Sequence, residues 1–122
     1  MTAAKVSEPV EGPSDPEDTK IITLARSALA RTQASQGACL RDTDGRTYAG
    51  AAIDLDHLNL SAVEVVVAMA VSSGAAGVEA VAVSGARPSD HSLAVIGDLS
   101  GKDVVVWVTD AAGTVEQRID LG

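Results

Sequence analysis

The chain has no phenylalanine, one tryptophan (Trp107) and one tyrosine (Tyr48) among its 122 residues. Aromatic rings therefore cannot build the core, which must come from Val, Ile, Leu and Ala. They also leave little stacking surface for nucleic-acid bases. Positive charge is short as well: nine Lys and Arg against seventeen Asp and Glu give a net charge of −8. No phosphate-neutralising patch is visible, which argues against a nucleic-acid partner. The single cysteine, Cys39, excludes an internal disulfide framework and suits a reducing compartment. No basic start leads into an apolar segment, and no apolar run approaches the roughly twenty residues a bilayer requires. A cytoplasmic protein with no membrane partner is expected.

Hydrophobic residues make up 46% of the chain, enough for one globular domain with a real core. Residues 1–14, with prolines, small residues and acid, read as a flexible tail, and 15–122 as the domain. The stretch SDPEDTKIITLARSALARTQAS reads as a helix, with Ser14 and Glu17 as a capping pair and Pro16 in the first turn. Its apolar face is Ile21, Leu24, Ala25, Ala28 and Leu29. A hairpin follows: a strand around 37–41, a turn through Asp42-Thr43-Asp44-Gly45, and a strand from Arg46.

DHLNL (56–60) reads as a connecting loop. SAVEVVVAMAVSSG is apolar almost all round; the Ser61-x-x-Glu64 capping box and the closing Gly74 favour a buried helix over a strand. GVEAVAVSG (77–85) is a Val-rich strand, SDHSLAVIGDL a helix with Ser89 as its N-cap, and KDVVVWVTD and TVEQRIDL close the chain as two strands. This order predicts a three-layer α/β/α arrangement on a central mixed five-stranded sheet. The middle helix is expected on one face and the other helices opposite it.

That order, with the residues at its joints, resembles the cytidine deaminase family over residues 19–121. ACLRDTDGRTYAGAAIDLDHLNLSAVE is similar to the family's first hairpin, substrate loop and catalytic-helix start. VAVSGARPSDHSLAVIGDL resembles its third strand and second metal-binding helix, and VVVWVTDAAGTVEQRIDL its closing hairpin. The resemblance implies a zinc ion held by one Cys or His and two Cys of a Pro-Cys-x-x-Cys motif, activating a water. It also implies a glutamate, not a ligand, that shuttles protons. At the matching positions this chain has Ala62-Val63-Glu64 and Pro88-Ser89-x-x-Ser92. A methyl and two hydroxyls stand where zinc needs nitrogen or sulfur, so the expectation is a chain without zinc or any other cofactor.

Glu64 has two readings: a surviving general acid/base, whose signature would be a pKa raised by burial, or the capping partner of Ser61. Without a metal-bound water the cap is favoured. The family's Asn-x-Glu pair for ribose hydroxyls corresponds to Ala52-Ile53-Asp54, which lacks the amide and shortens the acid. A metal site from His57, His91 and Glu64 matches no defensible spacing, and adjacent His91 and Ser92 diverge on a helix. Cys39 reads as a buried apolar residue, not a nucleophile. The leading expectation is a zinc-free, catalytically inactive protein of this fold, kept for binding or assembly. The resemblance implies a homo-dimer or homo-tetramer, and a nucleoside-like small ligand is the compatible one. Two alternatives remain. One is an enzyme of nucleoside or other small-molecule metabolism using the same cleft through Glu64 and Asp54. The other is an adaptor subunit paired with an active chain.

Overall fold

The computed structural model describes residues 10–99 and 103–122. Ten elements follow one another: α1 (Pro16–Thr32), β1 (Gln36–Asp42), β2 (Thr47–Ala51), β3 (Ile53–Asp54), β4 (Asn59–Leu60), α2 (Ala62–Ser72), β5 (Val78–Gly85), α3 (Asp90–Leu99), β6 (Val104–Thr109) and β7 (Val115–Leu121). Five strands form one sheet in the order β2-β1-β5-β6-β7. β5 and β6 run parallel, and the other neighbours are antiparallel. The sheet is therefore mixed, as expected. Lys102, the first residue of the expected strand KDVVVWVTD, and residues 1–9 of the expected tail lie outside the described residues.

Along β5, side-chain size separates the two faces of the sheet. Ala38, Leu40, Val81, Val83, Val104, Val106 and Val108 point to one side, where they meet α2 and α3. Cys39, Ala80, Ala82 and Trp107 point to the other, against Ile21, Ile22 and Ala25 of α1. Because successive strand residues face opposite ways, one Val-Ala alternation supplies a thick layer on one face and a thin one on the other. The thin layer lets α1 approach closely. A Cβ on Gly37 would collide with the Ala25 carbonyl oxygen and sit 2.9 Å from the Leu29 nitrogen.

Three expectations change. Helix α3 lies beside α2 and not across the sheet, its Ile96 and Leu99 joining the valine core. Parallel crossovers such as β5–α3–β6 have one hand, so strand order decides the face, and helical periodicity carries no such information. The expected loop 56–60 contains β4, which pairs with β3 in a short ribbon closed by the Leu55 N–H donating to the Leu58 carbonyl at 2.9 Å. The N-cap of α1 is Asp15, not Ser14: its carboxylate accepts from the Glu17 N–H at 2.9 Å, with Pro16 in the first turn. A carboxylate at that place also suits the positive end of the helix dipole.

Candidate functional site

Two helix starts converge on one spot. Helix α2 begins at Ser61, whose hydroxyl accepts from the Glu64 N–H at 3.1 Å while the Glu64 carboxylate accepts from the Ser61 N–H at 2.8 Å. That is the reciprocal capping box read from the sequence. Helix α3 begins at Ser89, whose hydroxyl accepts from the Ser92 N–H at 3.1 Å. The Ser89 hydroxyl also donates to Ser92 Oγ at 3.3 Å, and Ser92 Oγ lies 3.2 Å from Ser61 Oγ. The three hydroxyls form a chain from one helix start to the other, with Ser92 buried between them.

Ala62 is fully buried at the first position of α2, and its N–H donates to Gln36 Oε1 at 3.0 Å. The Gln36 Nε2 donates in turn to the Ala86 carbonyl at 2.9 Å. A cleft of about 370 Å³ lies over these groups, lined in part by Ser35, Gln36, Asp54, Asn59, Ser61 and Glu64. Ala52 lines it too, and its N–H donates to the Gln36 carbonyl at 2.9 Å. Asp54 is tied to Asn59, whose side-chain amide donates to it at 2.8 Å. The structure thus brings Ala62, Ser89, Ser92 and Glu64 together and sets Ala52 and Asp54 along the cleft wall.

The electrostatics of Glu64 oppose the acid/base signature considered above. Donation from the Ser61 N–H holds its carboxyl below the ordinary range of a glutamate, outweighing partial burial, and His91 adds to the effect. His91 Nε2 sits 3.4 Å from Glu64 Oε2 at a largely solvent-exposed position. His57 lies on the exposed tip between β3 and β4 and does not line the cleft. Among the described residues no three His, Cys, Asp or Glu side chains gather as a metal site. Cys39 is fully buried on the α1 side, and burial pushes its thiol up to about 11, away from nucleophilic reach.

Zinc, the metal of the family resembled, does not fit these donors. A methyl offers no lone pair, and neutral hydroxyls that already satisfy one another are poor competitors for a soft-to-borderline ion. Sequence reasoning missed Gln36 altogether. Its only local signal was a polar residue opening an otherwise small and apolar strand, Gln36-Gly37-Ala38-Cys39-Leu40.

No curated protein matches the chain in sequence. Solved structures match its fold: the cytidine deaminase from Burkholderia pseudomallei has a TM-score of 0.72 and 21% identity over 83% of this chain and 90% of that one. The cytidine deaminase from Mycobacterium leprae has a TM-score of 0.62 and 16% identity over 73% of this chain and 85% of that one. A mutant cytidine deaminase from Mycobacterium tuberculosis also has a TM-score of 0.62, with 21% identity over 71% of this chain and 81% of that one. A family model described as cytidine deaminase-like matches residues 14–113. The chain belongs to the cytidine deaminase-like family.

Proposed function

We propose that this chain is a zinc-free, non-catalytic member of its family, kept for binding or assembly. The observation that carries the reading is the set of groups at the two helix starts: the Ala62 methyl, and the Ser89 and Ser92 hydroxyls bonded to each other, with Ser92 also bonded to Ser61. Glu64 supports it. Its carboxylate is committed to the cap, and a base held well below working pH has little driving force to take a proton. The solved structures of similar fold are named as cytidine deaminases, so cytidine and deoxycytidine are the substrates to test. The purified protein is expected to carry no stoichiometric zinc by elemental analysis and to release no ammonia from either nucleoside. One zinc per chain, or turnover, overturns the reading.

Assembly is the use that the surface supports best. Helix α2 exposes Ala68, Met69, Val71 and Ser72 beside half-buried Val65, an outer face without a charge. A second copy of the chain, in a homo-dimer or homo-tetramer, is the occupant that suits such a face. Among the described residues no helix is long and apolar enough to cross a membrane. With one buried thiol and no disulfide, the cytoplasm is the compartment proposed.

A further inference from the structure

The Ala62 N–H and the Ala86 carbonyl come from separate elements, the first turn of α2 and the β5–α3 connection, yet both bond to one side chain. The Ala62 N–H is one of the first-turn donors that an α-helix cannot satisfy internally. The Ala86 carbonyl is an acceptor at the cleft wall. A donor and an acceptor set at this separation read one edge of a primary carboxamide, whose C=O takes the N–H and whose N–H meets the C=O. Gln36 supplies that edge. Its orientation is unambiguous, since reversing the amide would set donor against donor and acceptor against acceptor. Gln36 is 5% exposed and its bond to the Ala62 N–H is buried, so that contact is worth more than a surface hydrogen bond.

We infer that the floor of the cleft is a carboxamide-binding site filled by the chain's own Gln36, which braces the start of α2 against the β5–α3 connection. The inference rests on the zinc-free reading in one respect: with no metal joining the two helix starts, the brace falls to Gln36 and the serine chain. A ligand in the remaining cleft meets Asp54, Asn59 and Glu64 above a floor already occupied. If Gln36 is withdrawn, the floor offers a donor and an acceptor to a group carrying the matching pair on one edge, as a primary carboxamide does.

Amide hydrogen exchange on the unaltered protein tests the brace without any substitution. The Ala62 N–H is expected to exchange at least about tenfold more slowly than an unpartnered first-turn amide. An unprotected Ala62 N–H overturns the inference. Gln36→Ala is expected to abolish that protection and lower Tm by about 5 °C or more. Acetamide should then raise the variant's Tm and restore protection at Ala62, with no such effect on the unaltered protein. N,N-dimethylacetamide, which has no N–H for the Ala86 carbonyl, should do neither. Acetamide without effect on the variant, or acting equally on both proteins, overturns the carboxamide site. Should Gln36→Ala fail to fold, Gln36→Glu keeps an acceptor for Ala62 and loses the donor to Ala86. It should retain protection at Ala62 at a lower Tm, and loss of protection there counts against the assignment. A zinc ion found in a protein whose Ala62 N–H is protected would remove the zinc-free reading and leave this site standing.

Discussion

The two faces of the sheet are held in different currencies. On the α1 side, charge is buried: Arg41 lies 2.9 Å from Asp18 and 2.8 Å from Glu79, and the Trp107 indole N–H donates to the other Asp18 oxygen at 3.1 Å. The Arg41–Asp18 contact is an ion pair off the hydrogen-bond angle, and its two atoms have no hydrogen-bond partner among the described residues. On the α2–α3 side the polar groups at the two helix starts are neutral hydroxyls, an amide and one capping carboxylate, each satisfied by at least one partner. Asp42, fully buried at the end of β1 beside Tyr48, is held by the Asp44 and Arg46 N–H groups, the Arg46 side chain and the Tyr48 hydroxyl. A buried charge that loses a partner keeps its desolvation cost without the matching attraction. A chain of hydroxyls can rotate and re-pair. The cluster at the two helix starts is thus the tolerant one, and the Arg41–Asp18 cluster beneath α1 the sensitive one.

The sharpest way to test this contrast is to fill the closest approach on the α1 side. Gly37→Val puts branched atoms against the Ala25 carbonyl and Leu29, and is expected to cost about 4 kcal/mol or to prevent folding, read by denaturant titration. Next comes Asp18→Ala, which leaves Arg41 with Glu79 alone and the Trp107 N–H without an acceptor. It is expected to cost about 3 kcal/mol in the same titration. A loss under 1 kcal/mol there would erase the contrast.

The smallest effect is expected on the other face, from Glu64→Gln. Glutamine still accepts from the Ser61 N–H, so only the charge at the helix start and the His91 contact are lost, about 0.5 kcal/mol at neutral pH. The sign with pH follows from the depressed carboxyl. Its stabilisation is fully present above the unfolded-state value and is lost as the pH falls below about 4. Stability curves of the two proteins should therefore converge on acidification. Curves that stay parallel through that range would mean the charge contributes nothing to the cap.

Local features of the fold were legible in the sequence. The Asp42–Gly45 turn is closed by the Gly45 N–H donating to the Asp42 carbonyl at 3.0 Å, and the Ser61–Glu64 box stands as read. Each depends on residues a few positions apart, where spacing implies geometry. The Ser89–Ser92 pair was legible for the same reason; its bond to Ser61 was not, because that contact spans 31 positions. Gln36 lay further out of reach, with partners 26 and 50 positions away. The pairing of Asp18 with Arg41 was out of reach too, since nothing local indicates that a helix and a strand will enclose them together. The face taken by α3 was hidden in the same way, being a property of strand order.

The scarcity of aromatic residues gives the molecule an optical asymmetry. Tyr48 packs into the valine core beneath α2 and α3, and Trp107 into the thin layer beneath α1, under the Arg118 guanidinium at 5.3 Å from the ring centroid. With no phenylalanine to blur the spectrum, each face of the sheet carries its own chromophore. Near-ultraviolet dichroism in the tyrosine and tryptophan bands can then follow the loosening of one layer while the other holds, with no label attached.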